Sequence, residues 1–377
     1  MASNYKRLGN YIQQIDVRNT DLSVDLLLGV SIEKKFIDSH ANTIGTDFSK
    51  YKIVKRGQFA YAPVTSRNGD KISIALLEEA DACLISSSYT PFEIIKPKEL
   101  NAEYLMMLFR NPEFDRYARY NSWGSAREVF SWNDLCDTEL NLPDIRIQNE
   151  IVHQFRTIKK RIEVLEKITN NLTEFIVNYN DSFVKKFSKG NNFGELEQLC
   201  EKIYSGGTPS TSEKEYWDGE FSWLTSGETS NSYITFTSKT ITEKGVKKSS
   251  TKFASKGATV IASAGQGKTR GQTSYLLKDM YVNQSVIVLQ PKKNCGAYVF
   301  SNLKGRYDEL RNGSDLNSIR GSLTTTEIKK LPIFIPTNEE MQLFHEKIQP
   351  ILDYIEINTK EIDILTLLKK KFLENLF

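Results

Sequence analysis

The chain has no long apolar run, few residues of the kinds that bind metals or form disulfides, and little excess charge of either sign. Nothing in it approaches the ~20 consecutive apolar residues that span a bilayer. The opening residues, MASNYKRLGNYIQQ, lack the apolar core of a secretory signal, so a cytoplasmic location is expected. The four cysteines, Cys83, Cys136, Cys200 and Cys295, form no CxxC pair, and only His40, His153 and His345 could join them as ligands. Neither a zinc site nor a disulfide framework is expected. Cysteines so scattered read as small core residues in a reducing compartment. A net charge of +3 neither demands nor forbids a nucleic-acid partner, so any phosphate-binding surface has to be local.

What the chain does have is a globular composition and a repeat. Hydrophobic residues make up 39% and charged residues 26% of 377 positions, with 20 Phe and 17 Tyr, enough for two or three folded domains. A shift of 193 positions puts Arg127 on Arg320, Asp134 on Glu327, Leu135 on Ile328, Leu140 on Ile333, Leu142 on Ile335 and Pro143 on Pro336 without a gap. The same shift carries Ile151, Phe155, Ile158, Ile162, Leu172, Phe175, Tyr179 and Phe183 onto Phe344, Ile348, Ile351, Ile355, Leu365, Leu368, Phe372 and Leu376. Further upstream a shift of 200 aligns Lys52, Gly57, Ala62, Leu76 and Leu77 with Lys252, Gly257, Ala262, Leu276 and Leu277. Order, spacing and apolar periodicity agree across both halves, which is the signature of duplication.

Each half reads as a globular part followed by a helix. Residues 1–144 and 190–337 mix short β-rich runs, such as Gln58–Ala62, Ala258–Ile261 and Ser285–Leu289, with Gly, Ser, Thr and Asn loops, which predicts α+β domains. Residues 145–189 and 338–377 carry heptad seams. The first runs through Ile151, Phe155, Ile158, Ile162, Leu165, Leu172, Ile176, Tyr179 and Phe183, with Thr169 at its one polar position. The second runs through Phe344, Ile348, Ile351, Ile355, Ile362, Leu365, Phe372 and Leu376, with Asn358 inside it. Pro350 predicts a kink, or a regular helix delayed until after it. Helices of about 35–40 residues would each span roughly 50–60 Å and need a partner for their apolar stripes. Packed antiparallel they would carry two similar domains with approximate two-fold symmetry.

In the second half the segments Gly206-Gly207-Thr208-Pro209-Ser210, Tyr216-Trp217-Asp218-Gly219, Trp223-Leu224-Thr225-Ser226-Gly227 and Val282-Asn283-Gln284 follow in order. With Leu142-Pro143 and Ile335-Pro336 before the long helices, they resemble the GGTPS, YW-x-G, W-x-T and NQ segments of specificity subunits of type I restriction-modification enzymes. The first domain lacks the GGTPS and YW segments, and Ala264-Gly265-Gln266-Gly267-Lys268-Thr269-Arg270 stands where many members have a Gly-Ala-Thr-Ile-Gly loop. The resemblance implies two target-recognition domains on antiparallel coiled-coil helices, reading a bipartite double-stranded DNA target. It also implies two adenine methyltransferase subunits and ATP-dependent motor-nuclease subunits as partners, with S-adenosylmethionine, ATP and Mg held by them. Thr208, Ser210, Thr225, Ser226, Asn283 and Gln284 become candidate DNA contacts through it, and Ser87 is counted with the first domain's candidates.

Two further sets of candidates come from residue chemistry. The loop of Gln266, Lys268, Thr269 and Arg270, and its counterpart with Arg67, Asn68 and Lys71, suit phosphates and base edges. So do Arg119, Asn121, Ser125 and Arg127 in the first half and Arg311, Asn312, Ser314 and Arg320 in the second. The competing readings are solvated turns for the loops, a structural salt bridge for either Arg127 or Arg320, and a solvated face for the lysines of 244–256. Ala262–Thr269 also satisfies a relaxed P-loop pattern, but a P-loop needs a helix starting at its Lys-Thr, and TRGQTSYLL reads as loop then strand. The sequence has no [DNS]-PP-[YF] tetrapeptide, no glycine-rich S-adenosylmethionine loop and no nuclease PD…(D/E)xK arrangement. A non-catalytic subunit is expected; the alternatives are a coiled-coil scaffold joining two protein-binding domains and a P-loop NTPase.

Overall fold

The structure is a computed structural model that describes residues 5–39, 45–66, 68–124, 127–190, 192–265, 268–317 and 322–376. It divides into two compact units, Met1–Arg161 with Leu365–Phe377, and Ile162–Ile364. The two long helices, Ile145–Phe187 and Asn338–Glu374, therefore each contribute to both units.

In the first unit a four-stranded antiparallel sheet has the order Ile12–Gln14, Thr90–Ile94, Phe59–Tyr61, Ile74–Leu76. In the second a five-stranded sheet follows the same order, Cys200–Ser205, Val286–Pro291, Thr259–Ala262, Thr273–Leu276, with Tyr233–Ile234 added in parallel at the far edge. Behind each sheet come three helices in the same sequence, Ala102–Phe109, Pro112–Tyr120 and Trp132–Asp137 against Gly296–Lys304, Tyr307–Asn317 and Thr325–Lys329. A small closing pair repeats as well, Tyr5–Arg7 with Glu139–Asn141 and Phe193–Glu195 with Pro332–Phe334.

The likeness reaches individual atoms. Buried Tyr104 donates its hydroxyl to the Asn141 carbonyl at 3.1 Å, and buried Tyr298 donates to the Phe334 carbonyl at 2.9 Å. Gln58 N bonds Lys55 O across Gly57 (φ +84°), and Ala258 N bonds Ser255 O across Gly257 (φ +86°). A left-handed third turn position favours glycine, because a Cβ is crowded there. The third short helix is opened by a capping box in both halves, Ser131 with Asp134 and Thr324 with Glu327.

The second unit has a further four-stranded sheet, ordered Lys239–Ile241, Trp217–Leu224, Met280–Val282, Lys252–Ala254. It contains the YW and W-x-T segments. At the corresponding place the described residues of the first unit form two two-stranded pieces, Leu28–Val30 with Phe36–Asp38 and Lys52–Lys55 with Ala82–Ile85.

The seams are buried at most of their central positions, but on the second helix Leu352 is buried in place of the expected Ile351, and Ile351, Ile362, Leu365, Phe372 and Leu376 are half-buried. Phe155, Ile162, Leu165, Thr169, Ile176 and Phe183 are buried on the first helix, and Phe344, Ile348, Leu352, Ile355 and Asn358 on the second. In the first unit Phe155 meets Phe372, and in the second Tyr179 and Phe183 meet Phe344, so the helices pair in opposite senses. At 43 and 37 residues they are about 65 and 55 Å long. Of the two outcomes expected at Pro350, a regular helix delayed until after it is corrected. The second helix starts at Asn338, behind a Thr337–Glu340 cap, and continues through the proline. Pro350 is exposed, so solvent can serve the one carbonyl left without its donor, while Ile348 and Leu352 stay buried on either side.

Candidate nucleic-acid interface

In each unit the loop after the third sheet strand is tied to the segment that precedes the capping box. In the first unit Phe130 N donates to Pro63 O at 2.9 Å and Thr65 N to Glu128 O at 2.9 Å, with Val64 bridged to Val129. In the second Leu323 N donates to Ser263 O at 2.9 Å. Phe130 and Leu323 are related by the shift of 193, and Pro63 and Ser263 by the shift of 200. One joint thus recurs in both halves and brings together two candidate segments that lie far apart in sequence.

Around the first joint, Asn68 holds the loop closed through Nδ2 to the Val64 carbonyl and Ser73 Oγ, both at 3.4 Å. Lys71 is exposed and pairs with Glu33 at 2.8 Å, which raises its pKa. Arg119 pairs with Glu128, and Asn121 donates to the Tyr117 carbonyl at the end of its helix. Arg127 is exposed and makes no ion pair with the described residues. The salt-bridge reading therefore applies to Arg119 rather than to Arg127. Trp123 and Val129 exchange backbone bonds of 3.1 and 2.9 Å, which closes the loop bearing Arg127. A Cβ on Gly124 (φ +143°) would lie 2.1 Å from the Arg127 carbonyl oxygen, so the close approach requires glycine. Ser87 is exposed in a turn after Ala82–Ile85 and takes no part in the joint.

Around the second joint the Lys268 carbonyl accepts from Tyr307 Oη at 2.9 Å, anchoring the loop to the helix that carries Arg311 and Asn312. Lys268 is exposed, Thr269 and Arg270 are half-buried, and the next element is the strand Thr273–Leu276. The helix that a P-loop requires does not follow Lys268-Thr269. Arg67, Ser125, Gln266 and Arg320 lie outside the described residues, and of Ser314 only its place in the helix Tyr307–Asn317 is described.

The family-like segments of the second half converge on the base of this joint. Gly207 N donates to Val282 O, Asn283 N to Leu224 O, and Ser263 N to Ser285 O, at 3.1, 3.0 and 2.9 Å. Trp223 Nε1 reaches the Gly207 carbonyl and Trp217 Nε1 the Ser210 carbonyl. A Cβ on Gly206 would sit 1.9 Å from Val282 O, and one on Gly207 2.1 Å from Ser250 Oγ, so the glycine pair permits backbone contact between the segments. Thr208 bonds Gln284, Thr225 caps the turn with Glu228, the Ser226 carbonyl accepts from Thr229, and buried Asn283 accepts from Ser285 N. The side chains of Thr208, Gln284, Thr225 and Asn283 thus hold the segments to one another or to their own turns, while Ser210 bonds Ser212.

The lysine stretch is largely engaged as well. Lys244 pairs with Glu215, Lys247 with Glu243 and Lys256 with Glu356. Sequence reasoning passed over Tyr120 and Trp123, both highly exposed beside Arg127, because isolated exposure leaves no periodic trace. Tyr307, the anchor of the second loop, was also missed. Among the described residues no His, Cys, Asp and Glu group could hold a metal ion, and no helix is long and apolar enough to cross a membrane.

Residues 188–367 match a family described as type I restriction modification DNA specificity domain. Over 213 residues the chain is 25% identical to the type I restriction enzyme MjaIX specificity subunit of Methanocaldococcus jannaschii. That alignment covers 53% of this chain and 46% of the other, so the chain spans about half the length of that relative. The fold is similar to the crystal structure of a type-I restriction-modification system S subunit from M. genitalium, with a TM-score of 0.57 and 13% identity over 99% of this chain and 95% of that one.

Proposed function

We propose, from the match of residues 188–367 to the type I restriction modification DNA specificity domain, that the chain is the sequence-reading subunit of a restriction-modification complex. Each unit reads one half of a bipartite double-stranded DNA target. The observation that carries this reading is the joint repeated in both halves, where two polar loops bearing Arg, Asn and Lys are clamped at equivalent positions. Such side chains neutralise phosphates and reach base edges. The chain itself performs no chemistry in this reading. Adenine methyltransferase subunits, with S-adenosylmethionine, modify the target, and motor-nuclease subunits, with ATP and Mg, cleave unmodified DNA.

Co-expression with the neighbouring methyltransferase, followed by mapping of modified adenines across the genome, tests the proposal. The expected result is one motif with two defined parts separated by an undefined spacer. A methylated motif without two parts, or one unchanged when this chain is omitted, would overturn it.

Arg127→Ala is expected to weaken binding of that motif by ~1–3 kcal/mol, the size of a lost bidentate base contact. Its unfolding midpoint should not move, because Arg127 makes no ion pair with the described residues. A lowered midpoint with unchanged affinity would assign the side chain to the fold instead.

A further inference from the structure

Tyr120 and Trp123, at 78% and 68% exposure, are the two most exposed large hydrophobic side chains of the described chain. They stand at the end of the helix Pro112–Tyr120 and at the mouth of the loop closed by the Trp123–Val129 backbone pair. The residues around them are hydrogen-bonded to their neighbours. Thr65 N and Phe130 N tie this loop to its neighbour, Asn121 and Ser122 bond back onto the preceding helix, and Gly124 lets the chain close tightly over Arg127 O. The same loop carries Arg127, which is exposed and makes no ion pair with the described residues. An exposed apolar ring at the hydrogen-bonded mouth of a loop that also bears a cation matches a base stack flanked by phosphate, since every base offers a π-face.

The second unit lacks this device. The shift that maps Arg127 onto Arg320 places Gly313 and Leu316 at the positions of Tyr120 and Trp123, and the stretch Arg311–Asn317 has no aromatic residue. A surface for a protein partner common to both units would repeat, whereas a feature of one half-site need not.

Resting on the reading proposed above, we infer that Trp123, supported by Tyr120, enters the base stack of the half-site read by the first unit. There it unstacks one step and distorts that half of the target alone. Inserted side chains of this kind separate neighbouring base pairs and kink the duplex.

The test uses the full chain assembled with its methyltransferase subunits, on duplexes carrying the mapped motif with 2-aminopurine placed in turn at each position of both half-sites. The signal at the methylated adenine is set aside, because methyltransferases extrude that base themselves. Binding should raise 2-aminopurine fluorescence at one other step of the first unit's half-site and at none in the second's. Trp123→Ala should abolish the rise and weaken binding about tenfold, as loss of one stacked ring does, while Trp123→Phe keeps most of both. A rise that persists in Trp123→Ala, or bound duplexes with no rise in the first half-site, would overturn the inference. The Phe variant separates a lost ring from a misfolded loop. If no two-part motif is found, the functional reading fails; if the motif is found and the rise does not depend on Trp123, only the wedge fails.

Discussion

Exchange of the first globular region for that of a related chain with a different target should replace one half of the methylated motif and leave the other unchanged. Each unit has its own core. Phe59, Phe92, Phe109 and Phe114 stack in the first, and Tyr298, Phe300 and Phe344 belong to the second. Each carries its own joint between loops. Methylation of the original motif should fall to background, since each mismatched pair costs ~1–3 kcal/mol and a half-site contains several. The structure also indicates where to cut. Gln148, fully buried, bonds Asn101 N, Glu99 O and Pro143 O, and Val152, Phe155 and Phe372 pack on the first core. A junction at residue 144 separates these groups from their partners, whereas exchanging 1–161 together with 365–377 keeps them. Both chimaeras should read the same new half-site, the second with the higher unfolding midpoint. A change in both halves of the motif would show that the two units do not read independently.

Asp115→Ala should cost about 3–5 kcal/mol of stability, the usual penalty for leaving a buried charge without its partner. Lys34 Nζ lies 2.8 Å from Asp115 Oδ1, with only 5% of the lysine side chain exposed. Burial pushes the Lys34 pKa down, and Asp115 opposes that shift. The ammonium also donates to the Phe109 carbonyl. Asp115 Oδ1 further accepts from Ile72 N at 3.1 Å, which fastens the end of the Asn68–Lys71 loop to the helix behind it. Loss of the carboxylate should therefore loosen that loop as well as lower the denaturation midpoint. Replacing the pair by Lys34→Met and Asp115→Leu removes both charges and should recover most of the stability in urea, without restoring the bond to Ile72 N. If the double replacement is as unstable as Asp115→Ala, the stranded ammonium is not the cause.

Much of this was legible in the sequence because it is periodic. Apolar residues at steps of three and four reported the long helices, and Phe155, Ile162, Ile176 and Phe344 are buried where the seams put them. The shift from Asp134 to Glu327 anticipated a pair that performs the same capping task in both halves. Pro350 did not delay the helix, because the carbonyl left without its donor lies on an exposed face where solvent can serve it. The GGTPS and NQ segments illustrate another limit. Their glycines and amides resemble ligand-binding residues in a linear reading, yet Gly206, Gly207 and Gln284 contact segments distant in sequence and the Asn283 side chain closes its own turn. Pairing such as that of Gly207 with Val282 depends on tertiary register, which no local pattern encodes. The exposed ring of Trp123 was missed for the opposite reason, since it belongs to no pattern at all.

Asn111, the N-cap of the helix Pro112–Tyr120, donates from Nδ2 to the Leu373 carbonyl at 2.9 Å across 262 positions of chain. Phe372 and Leu373 pack on the same core. On a ribosome adding about 5–20 residues per second, the first unit would wait on the order of ten to fifty seconds for this part of its own interior. During that interval Phe155 lacks its partner Phe372, while every residue of the second unit emerges before the first can close.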